Sequence, residues 1–200
     1  PAVKLVGCGM TARNNRLSQA HHSAILWEGN DHAIERNDIS DVCRTANDAG
    51  AIYAGNEWAS RGTAIRENYL HDISSVLGGW VHGIYLDDCL SGVRVERNIV
   101  VDVVGNAIMH GGGRDHVLEN NLMVRCSRGL YADGRGVAWT EKYGPDNWKH
   151  LLTKLVTLGY QRDIAEKAWD WPTRFPECAT IPNDWATVLA EHHWLRPEGC

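Results

Sequence analysis

Phenylalanine occurs once in the 200 residues, methionine three times, and lysine before residue 136 only as Lys4. No basic run exceeds a pair and the net charge is −5, which argues against a nucleic-acid partner. No apolar stretch approaches the ~18 residues of a membrane span. The six cysteines (8, 43, 89, 126, 178 and 200) contain no CxxC pair, so zinc and redox motifs are not indicated and disulfides stay open. Cys43 and Cys126 fall at similar places after a turn, where stacked small apolar residues are the simpler reading. There is no starting Met and no signal peptide, and the chain opens in mid-phrase. It reads as a piece of a longer protein.

What is present is repetition. Ala24-Ile25-Leu26-Trp27, Ala51-Ile52-Tyr53-Ala54, Gly83-Ile84-Tyr85-Leu86, Ala107-Ile108-Met109-His110 and Gly129-Leu130-Tyr131-Ala132 share one pattern. A second phrase answers the first four, as in Ile34-Glu35-Arg36-Asn37 and Val95-Glu96-Arg97-Asn98. Its asparagines stand at 15, 37, 68, 98 and 121, in steps of 22, 31, 30 and 23 residues. Such periods mean a solenoid, and short strands with a fixed turn Asn predict a right-handed parallel β-helix, an all-β fold. Ile25, Ile52, Ile84, Ile108 and Leu130 should stack inward, because strand side chains alternate between faces. The asparagines should form a turn column, taking left-handed backbone themselves and bonding neighbouring main chain. The two longer steps imply loop insertions on the binding face.

The coils should occupy residues 1–136. From Val137 the period is lost and six of nine tryptophans follow, so residues 137–200 read as a Trp-rich helical arm. Pro145-Asp146 and Pro182-Asn183-Asp184 mark two helix starts, the second running to about His192. The arm's tryptophans suit either packing or a sugar platform.

One outward column holds Glu28, Gly55, Asp87, Gly111 and Asp133, and the next holds Gly29, Asn56, Asp88, Gly112 and Gly134. Stacked like charges repel, so carboxylates alternating with glycines suggest a cleft across the coils, open to a chain-like ligand. Coils ~4.8 Å apart put such carboxylates within reach of the ~5–9.5 Å separations of glycosidase pairs. Asp48 precedes the neighbouring strand and can join Asp87 or Asp88, while turn capping or calcium binding is the alternative for these groups. Arg114 and Asp115, after three glycines, form either a sugar clamp or a local ion pair. Arg135 should reach the same face. His110 suits a cleft or a plain turn, and Tyr53, Tyr85, Tyr131 and Trp58 are candidate sugar contacts.

The phrases from Asp48 to Tyr53, Gly83 to Asp88, Gly111 to Asp115 and Asp133 to Gly136 together resemble secreted bacterial right-handed parallel β-helix proteins. The chain is most similar to the glycoside hydrolase family 141 type, with α-L-fucosidase and xylanase activities. That resemblance implies acidic catalysis by Asp48 and the Asp87-Asp88 doublet, a polysaccharide partner, and an extracellular or periplasmic setting. It implies no cofactor, with Ca²⁺ the one ion to consider. A polysaccharide lyase or epimerase, or a non-catalytic carbohydrate-binding solenoid, are the other readings. The scarcity of lysine weighs against the lyase, while Arg114 and Arg135 keep it open.

Overall fold

The computed structural model describes residues 1–157, 171–191 and 193–195. Sixteen strands form three sheets in which every neighbouring pair is parallel. The first sheet stacks β1 (Val3–Cys8), β4 (Ile25–Asn30), β7 (Ala49–Gly55), β10 (Val81–Asp87), β13 (Asn106–Gly111) and β16 (Arg128–Asp133). The second stacks β2 (Thr11–Arg13), β5 (Ala33–Glu35), β8 (Ala64–Arg66), β11 (Arg94–Glu96) and β14 (Val117–Glu119). The third stacks β3 (Arg16–Ser18), β6 (Asp38–Ser40), β9 (Tyr69–Ile73), β12 (Ile99–Val103) and β15 (Leu122–Val124). The chain passes through the three sheets in turn on every coil. The result is a parallel β-helix.

Apolar stacking drives the coil-on-coil register. Ile25 pairs with Ile52, Ile52 with Ile84, Ile84 with Ile108 and Ile108 with Leu130. The four isoleucines are fully buried, each contributing roughly 1.5–3 kcal/mol. Leu130 keeps the register but is 49% exposed, since no strand lies beyond β16 among the described residues. Cys43 sits in this core and Cys126 packs against it, and Cys8, Cys43, Cys89, Cys126 and Cys178 are all free thiols.

The asparagine column lies at the turn between the second and third sheets. Asn37 donates its side-chain amide to Asn68 Oδ1 (2.9 Å) and to Ala12 O (2.9 Å), and its backbone N–H also reaches Asn68 Oδ1. Asn68 repeats this with Asn98, and Asn98 with Asn121. The expected backbone assignment is corrected by one position. The left-handed residue is the one before each column Asn, namely Asn14, Arg36, Glu67, Arg97 and Asn120. That residue turns the corner, and the asparagine is thereby aimed inward to satisfy buried main chain.

After β16 the chain turns into α1 (Arg135–Tyr143), a helix with no sequence start signal: Gly134 caps it without a side-chain bond. The Pro145-Asp146 start gives a turn first, and α2 (Lys149–Thr157) begins three residues later. Two short helices, α3 (Trp171–Arg174) and α4 (Pro176–Thr180), precede α5 (Trp185–Glu191). Asp184 caps α5 by accepting from the Thr187 N–H at 2.8 Å, as the Pro182-Asn183-Asp184 signal predicts, while the expected end at His192 lies outside the described residues.

These helices build a second apolar cluster against the solenoid. Trp148, Leu151, Leu152, Ile181, Trp185 and Val188 pack there with Trp58, Ala59 and Cys89. The insertion at residues 56–62 is therefore the seat of the arm and not a free loop. Arg61, fully buried, ties the two parts: it donates to Asp115 (3.0 Å), to Glu177 (3.2 Å) and to the Trp58 and Ser60 carbonyls. Arg174 holds Asp31 through two bonds of 2.8 and 3.0 Å.

Candidate active site

Strand alternation carries Tyr53, Tyr85 and Tyr131 to the outer face of the first sheet, with Asp87 and Asp133 two residues further along their strands. Asp87 pairs with Gly55 on one side, and Gly111 pairs with Asp133 on the other. The rings of Tyr53 and Tyr85 stack at 5.1 Å, 15° from parallel. Tyr53 donates its hydroxyl to Asp87 Oδ2 (2.8 Å), and Tyr85 donates to Asp48 Oδ1 (3.2 Å). Burial, and next the charge of Asp87, push both phenols up, so they stay protonated donors.

Arg135, at the start of α1, closes the constellation. Its Nη1 donates to Asp87 Oδ1 (2.5 Å) and to Asp88 Oδ1 (3.0 Å), and lies 3.5 Å from the Tyr85 hydroxyl. Its Nε and Nη2 donate to the two oxygens of Asp133, both at 3.0 Å. Trp139, one turn along α1, lies beneath the guanidinium at 5.1 Å. Gly111 exists for this side chain, since a Cβ there would sit 2.6 Å from Arg135 Cζ. The space left by that glycine is thus filled from within the protein. This corrects the expectation that both column glycines are open to ligand.

Three carboxylates from two coils meet here: Asp48, Asp87 and Asp88. Asp87 is only 4% exposed and receives Tyr53, Arg135 and the Asp88 N–H, so it orders its neighbours. Asp88 is about one-third exposed. Burial, and next the charge of Asp87, raise the Asp88 pKa, with Arg135 opposing and Asp48 adding to the rise. Asp48 stands in solvent on left-handed backbone just before β7. The contacts running Asp48–Tyr85–Arg135–Asp88 limit the separation of Asp48 and Asp88 to about 10 Å, leaving both glycosidase geometries open.

Other expected contacts fall elsewhere. Glu28 keeps its place in the column but sits two coils away, exposed and bonded to Lys4 at 2.8 Å. Trp58 is 1% exposed inside the second cluster and is a packing residue, because the arm covers it. Arg114 and Asp115 form the local ion pair (3.1 Å), with Arg114 also lying 4.7 Å over Trp194. His110 is buried edge-on against His116, and burial lowers its pKa, so it faces no cleft. Of the arm's tryptophans, Trp148 and Trp185 are buried and Trp139 stacks on Trp148 at 5.5 Å. Trp169 lies outside the described residues.

Two hollows flank the acids. A groove of about 570 Å³ crosses the outer face of β1, β4 and β7, lined by Gly7, Leu26, Glu28, Gly29, Tyr53 and Gly55 among others. It touches the acidic group through Tyr53 and Gly55 but does not contain it. A second hollow of about 390 Å³ lies at the starts of β10, β13 and β16, lined by Trp80, Asn106 and Arg128. The repeat pattern does not single out Trp80. Its position directly after Gly78-Gly79, just outside the repeated phrases, was the available signal.

The model of the right-handed β-helix region family matches residues 2–141. The chain belongs to that family. No curated protein and no solved structure matches it. The parallel coils are accordingly right-handed, and the match runs past β16 into α1, so the Arg135 closure lies within the matched segment.

Proposed function

We propose that this β-helix is a glycoside hydrolase acting on a polysaccharide, with Asp88 as general acid and Asp48 as its partner carboxylate. The observation that carries the reading is the convergence of Asp48 and Asp88 around Tyr85 and Arg135, with Asp88 biased toward its protonated form. Two carboxyl groups held in unlike environments are what acid and base roles require. Asp88 gives its proton to the glycosidic oxygen as the C–O bond breaks, and Asp48 takes a proton from the water that attacks the anomeric carbon. A closer pair would let Asp48 attack directly, and the anomer first released decides between the two. Asp87, with three donors on it, is the positioning group.

The sugar cleaved is uncharged, since the one guanidinium among the acids is taken up by Asp87, Asp88 and Asp133, with Asp48 adding a further negative charge. Lyase chemistry needs a free cation and a base at the unit being cleaved, yet Arg135, the guanidinium among the acids, is committed to Asp87, Asp88 and Asp133, while Arg114 and Lys4 are paired with Asp115 and Glu28. Among the described residues no group of three or more His, Cys, Asp or Glu could hold a metal, and Asp87, Asp88 and Asp133 bond Arg135. The reading carries with it an extracellular or periplasmic setting, where such polymers are met.

The test is reducing-end release from neutral xylo- and cello-oligosaccharides and fucosylated glycans. Asp88→Asn should lower the rate by about 10²–10⁴, and Asp48→Asn comparably. The wild-type rate should fall as pH rises past the elevated Asp88 pKa, because the acid is then spent. Product absorbing as an unsaturated uronate would replace this reading by the lyase, and full activity in Asp88→Asn would remove it.

A further inference from the structure

Every arginine of the described structure has a carboxylate partner except Arg128. Arg13, Arg16, Arg36, Arg44, Arg61 and Arg66 are paired, as are the six others at 94, 97, 114, 125, 135 and 174. Arg128 is exposed, braced 5.1 Å over the Tyr131 ring, and lines the hollow at the strand starts. In an acidic chain whose other described guanidiniums are all paired, a cation left facing a cavity has work outside the fold.

Opposite it stands Trp80, 52% exposed. The loop that carries this indole is pinned. The Trp80 N–H donates to Asn47 Oδ1 (2.8 Å), and Gly79 lies so close that a Cβ would meet the Ala46 carbonyl oxygen at 2.5 Å. His82 braces the indole edge-to-face at 5.6 Å. His82 itself is fixed: its Nδ1 accepts from the Asn106 N–H, and burial with the charge of Arg135 pushes its pKa down to about 4. An aromatic surface held in water by this much support is preorganised for a ligand. Asn47 is the neighbour of Asp48, so the platform adjoins the proposed partner carboxylate. At about 390 Å³ the hollow is of a size with small-ligand pockets, and accommodates one sugar ring.

We infer that the Trp80–Arg128 hollow is a sugar subsite on the Asp48 side of the acid pair, and that it takes a uronate unit. The indole face stacks on the C–H face of the ring, and the planar fork of Arg128 receives the sugar carboxylate in a bidentate bond. This rests on the hydrolase reading for its substrate class, and adds that the polymer carries acidic units next to the neutral unit being cleaved. The groove over β1, β4 and β7 then holds the chain on the other side. With Arg135 filling the direct path past Gly111, the glycan crosses the sheet obliquely, from one hollow to the other.

The experiment is calorimetric binding to the whole chain, comparing xylo-oligosaccharides with and without a glucuronic acid substituent at equal length. The acidic ligand should bind about 5-fold tighter, the worth of one exposed charge pair. That advantage should vanish in Arg128→Gln and fade with added salt. Trp80→Ala should weaken both ligands. Equal affinity for the two ligands overturns the uronate assignment, and Trp80→Ala binding like wild type overturns the subsite. Binding as expected with no turnover of either ligand would sink the hydrolase reading and leave the subsite standing.

Discussion

Two side-chain columns climb the same solenoid and differ in almost every respect. The asparagines at the second turn are the same residue on every coil, each donating to the next and to the main chain below. The column on the outer face of the first sheet changes at every step, Glu28, Gly55, Asp87, Gly111, Asp133, and its two aspartates are held by one arginine from the helix that follows the coils. A neutral amide is both donor and acceptor, so identical copies satisfy each other indefinitely. A carboxylate only accepts, so copies cannot stack and the column must be broken by glycines and closed by a cation. Regularity serves the fold, and its interruption marks where a site has been built.

The comparison breaks most sharply at Arg135. Arg135→Gln leaves the buried Asp87 carboxylate without its cation, an expected loss of about 3–5 kcal/mol, read as a fall in the urea midpoint and accompanied by loss of the proposed activity. In the other column, Asn68→Ala strips a buried amide, takes the acceptor from the Asn37 backbone N–H and removes one donor from the Ile34 carbonyl. About 2–3 kcal/mol should be lost there, with any activity of the folded protein retained. If Asn68→Ala costs nothing, the ladder is ornament and apolar stacking alone sets the register.

The smallest effect is at His71, on the third sheet. Its Nε2 meets Asp38 (3.0 Å) and its Nδ1 meets Asp72 (2.6 Å). Burial opposes the imidazolium, but the hydrogen bonds to Asp72 and Asp38 outweigh it and raise the pKa. A raised folded-state pKa means the contribution is whole below the ordinary ~6.5 and is lost as pH climbs through the raised value. Wild type minus His71→Gln should therefore show up to about 1 kcal/mol at pH 5.5 and nothing by pH 9. A difference that grows with pH would invert the assignment.

The coils were legible because each inward Ile and each turn Asn is a local choice repeated at a fixed step. The left-handed residue was misplaced by one position because composition at the turn favours asparagine for either role. Asp48 and the doublet could be singled out, but their dependence on Arg135 could not. It needs the helix that starts without a capping signal to swing a side chain back over Gly111. Trp58 misled for the same reason. Its burial is decided by Trp148, Leu151 and Val188, some ninety or more residues further on. Contacts between the repeat and the arm have no period, and a sequence read by period passes over them.

Arg61 has a consequence for anyone cutting this gene. The segment matched by the family stops at residue 141, yet the guanidinium of Arg61 shares its charge between Asp115 inside that segment and Glu177 beyond it. A clone ending at 141 would uncover Trp58 and Ala59 and remove one of the two carboxylates that pair a fully buried cation. Such a truncation should be recovered from inclusion bodies, whereas one extending past α5 should be soluble. The segment matched by the family is shorter than the segment that packs together.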